Sequence, residues 1–252
     1  MPARLMHSMP DSSTMPDIGK PVLTVSQLGI SIAGRQILHD VSFSLPGRAS
    51  LAIIGPNGSG KTLLLNALLG LLPASGSIHW NAGTRLGYVP QNVSADARLP
   101  LRVGELLAAK ARIQRLPQRD VKATIDWAGL EPLLEQKLGT LSSGQLQKVL
   151  IAFAMAGAPD VLLVDEPTSS LDELAEEHIF ELLKRARNER GMTIILVSHD
   201  LTLVRDTATH VLCVGGGTAS FGTAAEMLVP EILESVYRQP LEFHAHRLER
   251  DL

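Results

Sequence analysis

Apolar and polar residues alternate along the first part of this chain and then give way to unbroken apolar runs. The alternating runs lie at residues 22–25, 30–32 and 41–45, and the turn residues Ala33 and Gly34 separate the last two. A period of two residues is typical of strands that bury only one face. These runs therefore predict an antiparallel β-layer near the N-terminus.

Three unbroken apolar runs follow, at residues 50–54, 161–164 and 193–197, and helical patterns separate them. Such runs are typical of strands buried on both faces, which occur in parallel sheets covered by helices. The predicted fold class is therefore α/β, with a parallel sheet at its centre.

Helical patterns both cover this sheet and form a region of their own. Residues 172–188 predict an amphipathic helix packed on the sheet. The apolar side chains of that helix include Leu174, Ile179, Leu182 and Leu183. Strand signals are absent from about residue 92 to residue 157, where helical patterns cover 103–115, 119–128 and 143–156. We expect a helical subdomain inserted into the α/β core and able to move relative to it.

The ends of the chain carry weaker signals. Residues 1–20 contain several prolines and show neither period, so we expect a disordered tail there. Residues 21–252 are expected to form one domain, with a helical C-terminal tail at about 223–252.

Composition and charge argue against several classes of protein. The net charge of −3 and the 4% aromatic content offer neither a basic field nor a base-stacking surface, so no nucleic-acid partner is expected. Cys213 is the only cysteine and has apolar neighbours, which predicts a buried strand position in a reducing compartment. No apolar run is long enough for a transmembrane helix.

A phosphate-binding loop is the most specific feature, because the pattern G-x-x-x-x-G-K-[ST] stands between a predicted strand and a predicted helix. It consists of Gly55, Pro56, Asn57, Gly58, Ser59, Gly60, Lys61 and Thr62. Glycines let backbone N–H groups surround an anion, and the helix N-terminus adds a partial positive charge. Lys61 can reach the β- and γ-phosphates, and the Thr62 hydroxyl can bind Mg²⁺. The alternative is a glycine-rich turn with a chance lysine.

Two adjacent carboxylates, Asp165 and Glu166, follow the apolar run at 161–164. Ligands bind at the carboxyl ends of strands in open α/β sheets. Asp165 is expected to hold Mg²⁺ through water, and Glu166 to orient or deprotonate the attacking water. The alternative is an acidic strand end in an ordinary α/β protein, which the phosphate loop disfavours.

Further motifs complete an ordered set: Tyr88-Val89-Pro90-Gln91, Leu141-Ser142-Ser143-Gly144-Gln145, Ser170-Leu171-Asp172 and Ser198-His199-Asp200. With the phosphate loop and the acidic pair, they make the chain resemble the ATP-binding-cassette (ABC) ATPases over about residues 22–220. The resemblance implies a P-loop NTPase core of the RecA-like type that binds ATP and Mg²⁺ and couples ATP hydrolysis to transport.

The resemblance also implies catalytic roles. Gln91 would sense the γ-phosphate, join Thr62 and Asp165 at the Mg²⁺, and signal to the helical subdomain. His199 would contact the γ-phosphate and steady the catalytic Glu166. None of these positions departs from the family pattern, so hydrolysis is expected.

The signature segment, residues 141–145, implies a dimer. Ser142, Gly144 and Gln145 would close over the ATP held by the phosphate loop of a second copy, with a helix N-terminus facing the anion. A second ATP-binding subunit, with a homodimer as the expected form, would then be needed for each active site. Leu63 and Asp172 complete the implied nucleotide contacts.

Four positions depart from the family pattern. Ser143 stands where glycine is usual, and Lys148 and Phe153 stand where arginines are common. Ile32 falls where an aromatic side chain often stacks on adenine, so we expect weaker or less base-selective nucleotide binding.

ABC ATPases of this size usually drive a separate multi-span permease. The resemblance therefore implies a peripheral subunit at the cytoplasmic face of the inner membrane, served indirectly by an extracytoplasmic solute-binding protein. The permease is expected to dock after Gln91 and along residues 105–113. Soluble ABC ATPases that act on DNA or ribosomes are an alternative, but only about 80 residues separate Lys61 from Ser142, without the heptads of a coiled coil.

The cargo is inferred from likeness alone. Residues 87–91, 99–103 and 211–213 resemble the zinc, manganese and iron uptake ATPases, so import of zinc or manganese is expected. His244 and His246 resemble the histidine-bearing tails of some zinc-uptake members, although two histidines make an incomplete metal site. ATPases of other small-molecule importers are the alternative.

Overall fold

The computed structural model describes residues 21–91, 100–169 and 171–237. Its strands are β1 Pro21–Ile32, β2 Arg35–Pro46, β3 Ser50–Ile54, β4 Ser75–Trp80, β5 Leu86–Val89, β6 Val161–Asp165, β7 Thr193–Val197, β8 His210–Gly215 and β9 Thr218–Thr223. Its α-helices are α1 Lys61–Leu68, α2 Val103–Gln114, α3 Gln118–Ala128, α4 Ser143–Met155, α5 Glu173–Arg190, α6 Leu201–Thr207, α7 Ala224–Met227 and α8 Pro230–Tyr237. The predicted tail at 1–20, and the two tail histidines, lie outside the described residues.

The N-terminal antiparallel layer is a three-stranded sheet in the order β2-β1-β4. The β1–β2 turn has φ angles of 49° at Ala33 and 79° at Gly34, the positive values that a type I′ hairpin turn requires. The predicted strands at 22–25 and 30–32 form one strand, because a bulge near Gln27 shifts the register without ending the pairing.

The core is built on a six-stranded sheet in the order β5-β6-β7-β3-β8-β9. Its strands are parallel except β9, which is antiparallel to β8. Every residue of β3, β6 and β7 is buried, as their apolar runs predict. Because β6, β7 and β3 are parallel neighbours, their carboxyl ends meet at one edge of the sheet.

In its described residues, the region between β5 and β6 has helices as its regular elements, together with loops and one isolated β-bridge between Arg102 and Lys137. Helices α2, α3 and α4, with short 3₁₀ turns at Glu131–Leu133 and Leu138–Thr140, enclose an apolar cluster. Its most buried members include Val103, Leu107, Leu130, Val149 and Ala152. These helices therefore pack around a core distinct from the one that covers the sheet.

Trp127 on α3 joins this helical region to α5 on the α/β core. Its indole Nε1 donates a 2.6 Å hydrogen bond to the Glu189 carboxylate. The guanidinium groups of Arg185 and Arg190 lie 4.9 and 4.7 Å from the ring centroid, which is cation–π range. One aromatic side chain thus has three charged partners on α5.

Helix α5 packs on the sheet as predicted, through Ile179, Leu182 and Leu183. The expectation for Leu174 was wrong, because that side chain is 71% exposed. At about 100° per residue, Leu174 lies on the helix face opposite the buried stripe.

The C-terminal tail is helical where it is described, in α7 and α8. The apolar face of α8 packs against β3 and β8 of the sheet, through Ile232, Leu233, Val236 and Tyr237. Among the helices of the described ranges, none has both the length and the apolarity to span a bilayer.

Candidate active site

The phosphate loop, residues 55–62, connects β3 to α1 as its sequence pattern predicts. Gly55 opens the loop with a φ of 149°, and a Cβ there would lie 2.0 Å from the Val214 carbonyl oxygen. Only glycine fits such a position. Gly60 precedes α1 with a φ of 103°, so the N-terminus of α1 faces the space that the loop encloses.

Lys61 is the first residue of α1 and is buried. Its Nζ donates hydrogen bonds to the carbonyl oxygens of Gly55 at 2.9 Å and Pro56 at 3.2 Å. Burial lowers the pKa of Lys61, and the carboxylates of Glu166 and Asp165 oppose that shift. The ammonium group is therefore fixed at the base of the loop before any anion enters.

Ser59 gives a second indication of an anion site. Its hydroxyl oxygen is buried and has no hydrogen-bond partner within the described part of the chain. Such atoms are rare in folded proteins because leaving them unpaired costs free energy. A phosphate oxygen would supply the missing partner, and the exposed Asn57 and Gly58 leave the mouth of the loop open to solvent.

Asp165 ends β6 and is almost wholly buried. Its Oδ1 accepts a 3.3 Å hydrogen bond from Thr62 Oγ1. Burial raises the pKa of Asp165, the hydrogen bond from Thr62 opposes that shift, and the charge of Glu166 adds to it. A hydroxyl and a carboxylate side by side are the hard oxygen ligands that Mg²⁺ prefers.

Glu166 follows in a backbone conformation that is uncommon for residues with a side chain, with a φ of 43°. Its N–H donates a 3.1 Å hydrogen bond to the Val197 carbonyl on β7. The Gln91 Nε2 atom donates a 2.7 Å hydrogen bond to Glu166 Oε2, a contact that the sequence did not predict. Strained residues of this kind cluster at functional sites.

His199 follows β7 at the same edge, and its side chain is exposed. The neighbouring Ser198 and Asp200 are engaged locally, since the Ser198 hydroxyl accepts from the Asp200 N–H and Asp200 caps α6. Within the described ranges, no hydrogen bond joins His199 to Glu166 in this structure. The expected contact between them stays a prediction.

The signature segment lies apart from this cluster, at the N-terminus of α4. Ser142 Oγ accepts a 3.2 Å hydrogen bond from the Gln145 N–H, and Gln145 Oε1 accepts a 3.0 Å bond from the Ser142 N–H. This reciprocal pair is a capping box. The groove of about 430 Å³ beside it is lined mainly by α4 and α5, and by no described residue of the phosphate loop.

The remaining predicted contact residues serve local structure in this chain. Gly144 lies close to α5, since a Cβ there would be 2.9 Å from the Ala175 Cβ. Asp172 caps α5 through a 2.8 Å hydrogen bond from the Ala175 N–H. Leu63 packs partly buried against the core on α1. Their expected nucleotide contacts stay predictions.

A lysine occupies one of the two positions where arginines are common in the family, and a lysine of another helix contacts the residue at the second. Lys148 Nζ donates a 3.3 Å hydrogen bond to the carbonyl of Gly129, which ends α3. Lys110 Nζ donates to the Phe153 carbonyl and lies 4.3 Å from the centroid of the Phe153 ring. Ser143 is exposed at the first position of α4, so its side chain faces away from the body of its own chain.

Two further residues bear on the predicted nucleotide binding. Ile32 ends β1 and is 39% exposed. Tyr237, which the sequence analysis did not single out, reaches the phosphate loop from α8, and its hydroxyl accepts a 3.1 Å hydrogen bond from the Gly55 N–H. The only sequence signal for Tyr237 is the apolar stripe of α8 that it ends.

Comparison with known proteins agrees with this geometry. The profile of the family described as ABC transporter matches residues 38–169. The chain is 38% identical over 204 residues to the zinc import ATP-binding protein ZnuC of Ruegeria pomeroyi, covering 81% of this chain and 78% of that protein. It is 36% identical over 205 residues to the ZnuC protein of Jannaschia sp. (strain CCS1), covering 81% and 83%.

Solved structures give the same result. A chain from an inward-facing ABC transporter assigned to the metal-chelate type superposes with a TM-score of 0.80 at 26% identity, covering 88% of this chain and 90% of that one. The cbiO1 protein of Clostridium perfringens, part of the ABC transporter complex cbiONQ, superposes with a TM-score of 0.74 at 26% identity, covering 86% and 94%. The chain therefore belongs to the ABC transporter family, as an ATP-binding subunit whose ATP hydrolysis is coupled to transport through a membrane permease.

Proposed function

We propose that the phosphate loop, Asp165, Glu166 and Gln91 form the ATPase site and bind ATP together with Mg²⁺. One observation carries the proposal: the contacts of Thr62 with Asp165 at 3.3 Å and of Gln91 with Glu166 at 2.7 Å join three separate segments at one sheet edge. The residues present fit the metal, because the Thr62 hydroxyl and the Asp165 carboxylate lie together beside the loop. When bound, Mg²⁺ would offset the charge of the phosphates.

Glu166 is proposed as the general base. The Gln91 amide engages Oε2, which leaves Oε1 to accept the hydrogen bond of the attacking water. Lys61 would exchange its carbonyl partners for β- and γ-phosphate oxygens, and His199, at the same edge, would contact the γ-phosphate. The fixed backbone of Glu166 keeps its carboxylate aimed at the water while the phosphate leaves.

We propose further that two copies form a head-to-tail homodimer. The exposed N-terminus of α4, a helix of 13 residues, carries a partial positive charge suited to a γ-phosphate. Its own phosphate loop takes no part in lining the adjoining groove, in the described part of the chain. Ser142, Gly144 and Gln145 would therefore complete the active site of the second copy.

The permease is proposed to dock on the helical region. A groove of about 630 Å³ lies between α2 and α3, and Ile113 beside it is 81% exposed. The apolar side chains of the groove include Leu107, Leu116, Val121, Ile125 and Leu134. Arg112, Arg115 and Lys122 also line it, so an apolar permease segment with acidic residues would fit. The part of the expected docking surface at 92–99 lies outside the described residues.

Zinc is the proposed cargo, because the relatives that share most of this chain are named zinc import ATP-binding proteins. In this proposal an extracytoplasmic solute-binding protein delivers the ion to the permease. The ATPase associates peripherally with the cytoplasmic face of the inner membrane through the permease, and it does not touch the ion.

The test is coexpression with a candidate multi-span permease from the same genome. We expect the two proteins to copurify, and ATPase activity in proteoliposomes to rise with the zinc-loaded binding protein more than with its manganese or iron forms. Stimulation by manganese instead would reject zinc as the cargo. Failure to copurify, with stimulation by DNA or ribosomes, would reject the transport role.

The docking surface has its own control. Reversing charge in the groove with Arg112→Glu and Lys122→Glu should reduce permease copurification and leave the ATPase activity of the isolated chain unchanged. Arg119→Glu is the matched variant, because Arg119 is exposed on α3 and does not line the groove. If Arg119→Glu reduced copurification as much as the charge reversals in the groove, the proposed surface would be contradicted.

A further inference from the structure

The C-terminal helix reaches the phosphate loop through one hydrogen bond. Tyr237 is the last residue of α8, and its hydroxyl accepts a 3.1 Å bond from the N–H of Gly55 across 182 positions of sequence. We propose that Tyr237 is a positioning residue for nucleotide binding, which holds Gly55 in the conformation in which the loop accepts ATP. The inference rests on the proposed function, since it takes the loop as the ATP site.

Gly55 is the residue where the loop is most sensitive to conformation. Its φ of 149° is open to glycine alone, and its carbonyl accepts the 2.9 Å bond from Lys61 Nζ. Hydrogen bonds therefore act on both sides of this residue, from Tyr237 at its N–H and from Lys61 at its C=O. A rotation of Gly55 would move the carbonyl and, with it, the ammonium group that is to meet the phosphates.

The packing of α8 holds the Tyr237 hydroxyl in place at Gly55. Leu233, one turn earlier, is 1% exposed within the cluster that includes Ala52 and Ile54. Val236 packs so closely on β8 that a Cβ at Gly215 would lie 3.2 Å from its Cγ1. Burial also raises the pKa of Tyr237, so the phenol stays neutral at physiological pH.

The expected effect of losing the hydroxyl is on binding and not on chemistry. Tyr237→Phe keeps the ring that packs in the cluster and removes only the acceptor for the Gly55 N–H. The loop then loses preorganisation, which lowers affinity without touching the reacting groups. We expect the Kd for MgATP to rise about 3- to 10-fold, as one net hydrogen bond allows. KM should rise with it, and kcat at saturating ATP should change less than about 2-fold.

The experiment measures the Kd of MgATP by calorimetry, and KM and kcat by phosphate release, in the full chain. Ser235→Ala is the matched control, because it removes a hydroxyl of α8 that, among the described residues, bonds to the Ile232 carbonyl of its own helix. Tyr237→Leu, which keeps apolar packing without an acceptor, is the second variant. A raised Kd and KM in both Tyr237 variants, with kcat and Ser235→Ala near wild type, would support the role.

Two other outcomes are informative. A wild-type Kd in Tyr237→Phe, or a loss of kcat with unchanged KM, would overturn the inference about Tyr237. A wild-type Kd in Lys61→Ala would instead overturn the proposed site itself. The two failures are distinguishable, because Tyr237→Phe can leave the Kd for MgATP unchanged even when Lys61→Ala removes tight binding.

Discussion

The phosphate loop and the signature segment are two halves of one proposed ATP site, and a single chain completes them to different extents. Lys61 is buried and held by two loop carbonyls, and the Ser59 hydroxyl beside it is left without a partner in the described structure. In the signature segment, Ser142 and Gln145 satisfy each other through a capping box. The phosphate loop therefore has a buried hydroxyl that a ligand could pair with, whereas the capping groups of the signature segment are already paired.

This difference separates binding from turnover. In the proposed site, the buried half would bind the nucleotide within one chain, because its charges and donors are already oriented. The exposed half folds without a ligand and, in the proposed dimer, would act only when a second chain brings ATP to it. Variants in the loop should therefore change affinity in the isolated chain, and variants in the signature segment should change turnover without changing that affinity.

The largest expected effect is on turnover, from Glu166→Gln. Removal of the proposed base should lower kcat by about 10²- to 10⁴-fold, while MgATP still binds and holds a closed dimer. Phosphate release and size-exclusion chromatography with MgATP are the measurements. Glu177→Gln, on the exposed face of α5, is the control. A monomeric variant with normal turnover would refute the role.

Lys61→Ala should remove the binding half. The ammonium group makes charge-assisted hydrogen bonds to phosphates, so its loss should weaken MgATP affinity by about 100-fold or more. Calorimetry on the isolated chain measures this directly. Lys137→Ala removes an exposed lysine and should bind normally. If the two variants bound equally well, the loop would not be the ATP site.

Ser142→Ala tests the exposed half. We expect turnover to fall about 10-fold, with an unchanged Kd for MgATP in the isolated chain. The lost cap should also cost about 1 kcal/mol of helix stability, which thermal denaturation would report. Thr140→Ala is the control, because its hydroxyl bonds locally to the Lys137 carbonyl. Weaker MgATP binding by the isolated Ser142 variant would contradict the division between the two halves.

The pH dependence of Mg²⁺-dependent ATP binding should reflect Asp165. Burial raises the pKa of Asp165, so its carboxylate takes up a proton at a higher pH than an exposed aspartate does. As the pH is lowered through that range, the affinity for MgATP should fall by up to about 10-fold per pH unit. Its contribution to folding has the opposite sign: stability is present below the ordinary pKa and is lost as pH rises through the raised one. Titration of Kd against pH, with Asp165→Asn as the pH-insensitive reference, measures the first effect.

Ile32→Tyr should have the smallest effect, and it should strengthen ATP binding. A stacking face at the end of β1 is expected to improve ATP affinity about 2- to 10-fold, equivalent to roughly 0.5–1.5 kcal/mol. The gain should be smaller for GTP. Ile32→Leu, which changes shape but adds no ring, is the matched control. No gain for ATP would show that Ile32 lies away from the base.

Short-range signals were enough to predict the phosphate loop, the acidic strand end and α2 to α5. Each rests on a local pattern, such as the run 50–54 before Gly55. Strands β4, β5 and β9 were missed because they are short or rich in Gly, Ser and Thr, and pairing with neighbours forms them. Leu174 was misassigned because an apolar residue in the first turn of a helix does not reveal which face it takes.

The site contacts were less predictable than the site residues. The motifs named Gln91 and Glu166, but nothing local in the sequence joins one to the other across 75 positions. Tyr237 was missed for the same reason, because its partner Gly55 is brought near only by the packing of α8 on the sheet. Contacts between distant segments depend on tertiary packing, which a single sequence does not display.

The contacts of the Trp127 indole with two guanidinium groups have a mechanical consequence. Cation–π attraction changes gradually as a cation moves laterally over a ring, whereas the hydrogen bond from the ring nitrogen to Glu189 is directional. The contact between α3 and α5 should therefore allow the two helices to slide past each other while it resists their separation. Movement of the helices on which the permease is proposed to dock would in this way pass into α5 and, through its first turn, to the neighbourhood of Gly144.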